Sequence, residues 1–373
     1  MLLIMSASRL IAGWKKLLTM LLVSMSGVGC YAHTIIYVAN TDSQNISVFR
    51  LDESTQKSTL LQTYAVGGAV MPMALSSNKR LLYAAIRSEP YRIAVLAIDP
   101  ATGKLSPHGS APLVDSMANI ALDQDGRYLF AASYGGNKIS MNRLDSNGVP
   151  ETETQVLATG EHPHQITADP TNQFIYVSLL GADRLGYFRI NSTTEKLQHM
   201  SKPAITFDSG SGPRHFVFSA TGKFIYLLDE LQANLHVLQR NSETGTASLL
   251  ESHALLPEDW PQKAWAADIH MTPDGKFLYA SERNSNSLSG FKIKADGRLS
   301  AIGRWDTEHQ PRAFGISPDG NFLAAVGQKS HHMTLYAIHP ETGALTPVDR
   351  KSTGKNPAWV EMMVLPVSGA TNN

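Results

Sequence analysis

The sequence predicts an all-β protein, a seven-bladed β-propeller with four antiparallel strands in each blade. Three observations support this fold class. A short apolar strand recurs seven times along the chain, the turns around it repeat as well, and the last segment of the sequence supplies a strand that the first unit lacks. Because one such unit cannot bury its own apolar face, the units must stack side by side into a ring.

The recurring strand carries an aromatic or small residue that serves as an anchor for the repeat. Successive anchors are 45 to 53 residues apart, close to the length of a four-stranded propeller blade. No segment after residue 33 shows a sustained 3.6-residue hydrophobic period, apart from one candidate turn at 256–263. The anchors are Tyr37, Tyr83, Phe130, Tyr176, Tyr226, Tyr279 and Ala324.

Turn sequences punctuate these strands at matching positions. D-Q-D-G, S-A-T-G, T-P-D-G and S-P-D-G end at Gly126, Gly222, Gly275 and Gly320, each just before an anchor strand. Pro presets φ, Asp bonds its own backbone and Gly takes the left-handed position, which is the chemistry of a hairpin turn. A strand of alternating apolar residues follows each anchor strand, as at 333–338. The pattern predicts consecutive antiparallel hairpins.

The two ends of the domain complete each other. The chain enters the repeat at Thr34 with a strand that corresponds to the second strand of the other units. The segment N-P-A-W-V-E-M-M-V at 356–364 resembles the first-strand segments at 212–218 and 310–316. Pairing the C-terminal strand with the N-terminal blade closes the ring and removes two exposed edges. One closed domain therefore replaces the two or three that a length of 373 residues suggests.

The first 32 residues have the pattern of a secretory signal peptide. Three basic residues precede an uncharged run at 17–32. That run is shorter than the ~20 residues that a membrane-spanning helix needs. Cleavage after Ala32 is expected, with export to the periplasm or out of the cell. Cleavage with lipidation at Cys30 stays open, as does a mis-assigned start codon, which would make the protein cytoplasmic.

The domain boundaries follow from the leader and the repeat. We expect a signal peptide at 1–32, the propeller at 33–365 and a C-terminal tail at 366–373. No segment after the leader reaches 18 consecutive apolar residues, so the mature chain is expected to have no membrane span. A ring that closes on itself is expected to be a monomer.

Composition excludes several classes of function. The chain has 32 Lys+Arg and 32 Asp+Glu, and it lacks a run of like charges, which argues against nucleic acid as a partner. A single Cys excludes a disulfide framework, a cysteine zinc site and an iron–sulfur cluster. The sequence has no G-x-G-x-x-G, P-loop or G-x-S-x-G motif, so neither a nucleotide cofactor nor a serine-hydrolase elbow is expected.

The repeat predicts which residues meet at one mouth of the central channel. The first strand of each blade lines the channel and the second runs antiparallel to it, so first-strand starts and second-strand ends share a face. Strand starts contribute His164, Arg214 and Arg312. Strand ends contribute Arg87, Glu230, Arg283 and Gln328, and Asp268 lies near the same mouth.

A concentration of Arg with one His and one Glu indicates an anionic ligand and acid–base chemistry. Arg recognises phosphate or carboxylate in a bidentate manner, and His or Glu can activate a water. The alternative is a solvated polar channel in which Glu230 only pairs with Arg214 or Arg283. No metal is expected, because strand alternation would direct His331 and His332 to opposite faces.

Four motifs carry a resemblance to a known family. They are G-S-G-P-R-H-F-V-F at 210–218, W-A-A-D-I-H-M-T-P-D-G at 265–275, Q-P-R-A-F at 310–314 and G-Q-K-S-H-H at 327–332. With them the sequence resembles the bacterial 6-phosphogluconolactonases of the seven-bladed propeller type. That resemblance implies hydrolysis of 6-phospho-D-glucono-1,5-lactone in the pentose phosphate pathway, with no metal or other cofactor. The resemblance covers nearly the whole chain after residue 33.

A lactonising relative that acts on carboxymuconate suggests roles for four residues. Its proposed catalytic His, Arg, Glu and second Arg lie in motifs similar to those around His164, Arg214, Glu230 and Arg283. The resemblance therefore implies that these four are catalytic. Arg87, Asp268, Arg312 and Gln328 are the expected substrate-binding residues.

The expected reaction is metal-independent hydrolysis of an anionic sugar lactone. His164 or Glu230 would act as the general base, and the sequence leaves that choice open. Arg214 and Arg283 would stabilise the oxyanion, a role worth roughly 3–4 kcal/mol per donor in other acyl-transfer sites. Three alternatives remain: an exported lactonase for a non-phosphorylated aldonolactone, a secreted propeller that binds a ligand without turnover, and lactonisation of an unsaturated diacid.

Overall fold

A computed structural model describes residues 33–201 and 204–365, except for the side chains of residues 153 and 154. The predicted signal peptide at 1–32 and the predicted tail at 366–373 lie outside these residues. Within the described part, the one helical segment is a 3-10 turn at Leu180–Ala182. No helix in that part is long and apolar enough to cross a membrane.

The described residues form 29 β-strands. In chain order they are β1 (Thr34–Asn40), β2 (Asn45–Asp52), β3 (Lys57–Ala65), β4 (Val70–Leu75), β5 (Leu81–Ile86), β6 (Arg92–Ile98), β7 (Leu105–Pro112), β8 (Asn119–Leu122), β9 (Tyr128–Ser133), β10 (Lys138–Leu144), β11 (Pro150–Ala158), β12 (Pro163–Ala168), β13 (Ile175–Leu179), β14 (Arg184–Ile190), β15 (Leu197–His199), β16 (Ile205–Thr206), β17 (Pro213–Phe218), β18 (Phe224–Asp229), β19 (Asn234–Arg240), β20 (Ala247–Ala254), β21 (Ala266–Met271), β22 (Phe277–Glu282), β23 (Ser287–Ile293), β24 (Leu299–Asp306), β25 (Pro311–Ile316), β26 (Phe322–Gly327), β27 (His332–Ile338), β28 (Leu345–Ser352) and β29 (Pro357–Val364).

These strands make seven antiparallel sheets, which confirms the predicted seven-bladed propeller. Blade 1 has the order β29-β1-β2-β3, so the C-terminal strand completes the N-terminal blade as expected. Blades 2 to 7 begin with β4, β8, β12, β17, β21 and β25, and blade 4 has its fourth strand in two pieces, β15 and β16. The innermost strands contact one another in a complete circle, in which β29 touches both β25 and β4.

The apolar core is divided among the seven junctions between blades. One hydrophobic cluster fills each junction, and each cluster draws its residues from two neighbouring blades. In β1, Ile35 and Tyr37 face blade 2, while Ile36 and Val38 face blade 7. The second strand of a blade is therefore buried on both faces, and this is why the anchor strands are continuous apolar runs rather than alternating ones.

The anchor tyrosines fasten each blade to the next one. The Tyr226 hydroxyl donates to the carbonyl of Gly297 at 3.0 Å, where Gly297 lies in the turn between the third and fourth strands of blade 6. Gly297 has a φ of +81°, and a Cβ there would lie 2.5 Å from Phe224. Four other anchors make the same bond: Tyr37 to Gly103, Tyr83 to Gly148, Tyr176 to Gly245 and Tyr279 to Gly343.

Two anchors do not form this bond, and the turns that face them lack the glycine. Phe130 and Ala324 have no hydroxyl to donate. In the facing turns of the next blades, the left-handed positions hold Glu195 and Gln56 instead of Gly. Tyr and Gly thus occur together because the hydroxyl needs close approach to a turn that has no Cβ.

Candidate active site

The side chains at the mouth are directed there by β-bulges at the starts of the innermost strands. In blade 5, Pro213 opposes Asp229 and His215 opposes Leu228, which leaves Arg214 as the extra residue. His164 in blade 4 and Arg312 in blade 7 occupy the same bulged position. A bulge re-aims a side chain and raises the local twist of the strand. Three predicted site residues are therefore at equivalent, special backbone positions.

Glu230 is the centre of a buried ion cluster at this mouth. Its Oε2 accepts a hydrogen bond from Nε of Arg214 at 2.7 Å and lies 3.1 Å from Nη2 of Arg283. Its Oε1 accepts from Nε1 of Trp265 at 3.0 Å. Burial would raise the pKa of Glu230, but Arg214, Arg283 and Arg312 together bring it below the usual value. Glu230 is therefore ionised at neutral pH, with both oxygens engaged.

The two arginines bound to Glu230 are fixed by backbone groups as well. Arg214 is only 1% exposed and donates through Nη1 to the carbonyl of Ala267. Arg283 donates to the carbonyls of Trp265 and Ala266 at 3.0 and 2.9 Å. Its guanidinium carbon lies 3.8 Å above the centre of the Trp265 ring, in a cation–π contact. Both cations are thus rigid, as groups that stabilise a developing charge need to be.

Arg312 is a cation of the mouth that has no bonded partner among the described residues. In the described part of the chain it makes no hydrogen bond and no ion pair, although it is half-buried. Burial, Arg214 and Arg283 hold the pKa of Arg312 well below its usual range, and the more distant Arg87 acts in the same direction. An anion bound beside it would relieve this repulsion, so the arrangement favours an anionic ligand.

Burial also lowers the pKa of the remaining two cations, and Arg283 is repelled by Arg214 in addition. Burial and Arg214 lower the pKa of Arg283 to about 9, even though Glu230 acts in the opposite direction. Arg87 donates through Nε to the hydroxyl of Ser116 at 2.8 Å and contacts the sulfur of Met71. Burial lowers the pKa of Arg87 as well. Three arginines, Arg214, Arg283 and Arg312, therefore act on the single carboxylate of Glu230.

His164 is buried at the same mouth, with its ring centre 5.0 Å from that of His215. It is 4% exposed, and its Nδ1 is buried without a hydrogen-bond partner in the described structure. Burial, Arg214 and His215 keep the pKa of His164 well below its usual value, so the imidazole is neutral. Its ring lies 6.0 Å from that of Tyr134, a mouth residue which in turn stacks on His162 at 4.2 Å.

Two predicted binding residues are engaged with other partners. Gln328 donates to the side-chain oxygen of Asn356 at 2.7 Å and accepts from Gln310 at 3.2 Å. Among the described residues Asp268 forms no ion pair with an arginine, and it bonds Nδ1 of His215 at 2.8 Å and Nε2 of His270 at 3.2 Å. The structure thus brings Arg214, Glu230 and Arg283 into direct contact, and it places Asp268 with histidines instead.

Sequence reasoning did not single out His215. Strict alternation along a strand would send His215 and its neighbour Arg214 to opposite faces. The bulge at Arg214 breaks that alternation, and His215 contacts the channel residue Trp359 with ring centres 5.9 Å apart. The motif G-P-R-H indicates this placement only once a bulge is known to begin there. No group of three or more potential metal ligands occurs among the described residues.

Comparisons with known proteins identify close relatives. The profile of the family described as lactonase, 7-bladed beta-propeller, matches residues 27–362. The 6-phosphogluconolactonase of Yersinia pestis (strain Pestoides F) is 40% identical over 339 residues, which span 91% of this chain and 99% of that protein. The 6-phosphogluconolactonase of Pectobacterium atrosepticum is 38% identical over 332 residues, which span 89% of this chain and 99% of that protein.

A solved structure shows the same architecture. The periplasmic gluconolactonase of Pseudomonas aeruginosa superposes with a TM-score of 0.83 at 25% sequence identity. The match covers 90% of this chain and 100% of that protein.

Proposed function

The chain belongs to the seven-bladed β-propeller lactonase family, and on that premise we propose that it hydrolyses 6-phospho-D-glucono-1,5-lactone to 6-phosphogluconate. The observation that carries this proposal is Arg312, a cation without a partner in the described structure, beside the cluster of Arg214, Glu230 and Arg283. The relatives named 6-phosphogluconolactonase support the same substrate.

The proposed roles follow from how each residue is held. Arg214 and Arg283 are rigid, desolvated cations that stabilise the oxyanion formed when water attacks the lactone carbonyl. Arg312 and Arg87, with Gln328, bind the phosphate. Of the two base candidates, Glu230 already accepts from Arg214, Arg283 and Trp265. His164, whose Nδ1 has no partner within the described residues, is therefore the better candidate to contact the water.

A second candidate substrate is a non-phosphorylated aldonolactone. It is favoured by the likeness to a periplasmic gluconolactonase and by the proposed export of this chain, since a phosphorylated sugar lactone is made in the cytoplasm. In this case Arg312 would bind a hydroxyl-rich ring without a strong anion. The phosphorylated lactone requires the charge of Arg312 and gluconolactone does not, so a substitution of Arg312 distinguishes the two substrates.

The decisive experiment compares the two lactones on wild-type protein and on Arg312→Gln. Acid release is followed at neutral pH with both substrates, and spontaneous hydrolysis is subtracted. For the phosphorylated lactone we expect KM to rise at least tenfold in the variant, with little change for gluconolactone. Arg143→Gln is the matched control, because Arg143 is an exposed cation of blade 3 that pairs with Glu195 of blade 4. Decay of both lactones at the buffer rate would instead favour a propeller that binds without turnover.

We also propose that residues 1–32 are an export leader ahead of a propeller at 33–365 and a tail at 366–373. The basic residues and the short uncharged run support this proposal. Cell fractionation with N-terminal sequencing tests it. A mature chain that starts at His33 outside the cytoplasm is expected, and a full-length chain in the cytosol would contradict the proposal.

A further inference from the structure

Two neighbouring buried histidines each have one ring nitrogen without a partner among the described residues. Nδ1 of His164 and Nε2 of His215 each lack a hydrogen bond in the described structure. The two residues lie on adjacent innermost strands, with ring centres 5.0 Å apart and planes inclined at 65°. A buried polar atom without a partner is costly, and two at one place are typical of a site that binds a small polar molecule.

Asp268 determines which nitrogen of His215 carries the proton. Its Oδ1 lies 2.8 Å from Nδ1 of His215 and accepts from the backbone N–H of Ile269 at 3.0 Å. Its Oδ2 lies 3.2 Å from both the backbone nitrogen of Phe314 and Nε2 of His270. Burial would raise the pKa of Asp268, but His270 and His215 keep it well below the usual range. An ionised Asp268 accepts Nδ1–H of His215, which leaves a lone pair on Nε2.

The channel beside His215 has room for water. A cavity of about 90 Å³ is lined in part by His215, Asp268, His270 and Glu361. That volume exceeds the ~10–15 Å³ that a single water requires. A water held between polar groups here would have two to four partners, as buried waters do.

We propose that His215, oriented by Asp268, is the general base of lactone hydrolysis, and that Nδ1 of His164 holds the same attacking water. This inference rests on the proposed function and names the base of that reaction. Asp268 becomes a positioning residue rather than a substrate-binding one. Glu230 keeps Arg214 and Arg283 in place instead of accepting the proton of the water.

The proposed step balances in protons and bonds. The water oxygen bonds to the lactone carbonyl carbon while one of its protons passes to Nε2 of His215. The carbonyl π electrons move to the oxygen beside Arg214 and Arg283. The ring C–O bond then breaks, and the leaving oxygen takes the proton from Nε2 of His215. The products are the open hydroxy acid and neutral His215.

The charges around His215 keep it in the neutral form from which the cycle starts. Burial and Arg214 lower the pKa of His215 to about 4, with Arg312 acting in the same direction and Asp268 opposing it. The imidazole is therefore neutral at neutral pH, and the lone pair of Nε2 is available to the attacking water. When the oxyanion forms near Arg214, its negative charge and that of Asp268 both stabilise the imidazolium.

The test uses His215→Asn on the whole chain. The amide of Asn can keep the hydrogen bond to Asp268, but it has no atom at the position of Nε2. We expect kcat for the lactone to fall at least a hundredfold, with KM within threefold of wild type. Asp268→Asn should lower kcat at least tenfold, again with little change in KM, because an amide can donate to Nδ1 and reverse the tautomer of His215.

A second buried His–Asp pair provides the matched control. Nε2 of His236 lies 2.7 Å from Asp229, and its Nδ1 lies 2.7 Å from the hydroxyl of Ser252. Both nitrogens of His236 are thus satisfied, as expected for a structural pair. His236→Asn should leave kcat within twofold of wild type.

The outcomes separate this inference from the function that it rests on. A wild-type enzyme that is active, together with folded His215→Asn that keeps a third or more of kcat, overturns the inference alone. Wild-type protein that hydrolyses neither lactone overturns both. If His215→Asn does not fold, ¹⁵N NMR of the wild-type histidines decides, because a proton on Nε2 of His215 at pH 7 would overturn the assigned base.

Discussion

Nε of Arg214 lies 2.7 Å from Oε2 of Glu230. Arg214 is the bulged residue of the innermost strand β17, and Glu230 directly follows the adjacent strand β18. Arg283 reaches the same carboxylate oxygen from blade 6 at 3.1 Å. The mouth of the channel is thus built around one anion shared by two blades. Both the stability and the chemistry of the mouth depend on how these charges are buried.

Replacing Glu230 by Gln should impair both activity and stability. Two buried guanidinium groups would lose their counter-ion, and breaking a buried pair typically costs roughly 3–5 kcal/mol. We expect kcat to fall at least tenfold and the urea midpoint to decrease. Glu251→Gln is the control, because Glu251 pairs with Arg298 away from the mouth. A folded Glu230→Gln variant with wild-type kcat would contradict the assigned role.

Buried His215 should reduce the stability of the folded chain in acid. The pKa of His215 is lowered from 6.5 to about 4 in the folded chain. As the pH falls below 6.5, His215 becomes protonated in the unfolded chain but stays neutral in the folded chain. The free energy of unfolding therefore decreases down to about pH 4. The contribution of His215 to this change in the free energy of unfolding is at most roughly 3 kcal/mol.

The variant His215→Asn isolates that contribution. Nearby His270 has a raised pKa and acts in the opposite sense, so the slope of the wild type alone is ambiguous. Urea unfolding of wild type and variant at several values between pH 4 and 7.5 is the measurement. The stability of the variant should vary less steeply with pH, and equal slopes would count against a neutral buried His215.

The bonds between anchor tyrosines and turn glycines should stabilise the ring. Tyr226→Phe removes a buried donor to Gly297 and should cost about 1 kcal/mol in the free energy of unfolding. Gly297→Ala should cost more, because its φ of +81° and the 2.5 Å approach of Phe224 both oppose a Cβ. Tyr64→Phe, outside the anchor set, is the control. Lactonase kcat should be unchanged in all three, measured below the thermal midpoint.

Removing metal ions should leave the reaction unaffected. The proposed chemistry uses Arg, His and Asp side chains, with no step that needs a metal. Wild-type protein dialysed against a chelator is expected to keep its kcat within experimental error. A loss of activity that is restored by one divalent cation would require a different mechanism.

The arrangement of the blades was predictable from local sequence because the repeat is local. Anchors such as Tyr37 and Tyr226 stand at one position in units of similar length, and each unit must bury both faces of its second strand. The same regularity predicted that Arg214 and Glu230 meet at one mouth. The strand that closes the ring, β29, was recognisable because it matches the first strands of the other blades.

The partners and roles of individual residues at the mouth were not predictable in the same way. The hydrogen bond between His215 and Asp268 joins strands of two different blades. It depends on a bulge at Arg214, which neither a turn sequence nor the hydrophobic period predicts. Whether Glu230 is available as a base depends on how many donors reach it in three dimensions. Sequence by itself determined the ring and the arginines and glutamate at its mouth, because both follow from the length of a repeat. Only the tertiary structure decided their partners, because hydrogen bonds and desolvation depend on distances between blades.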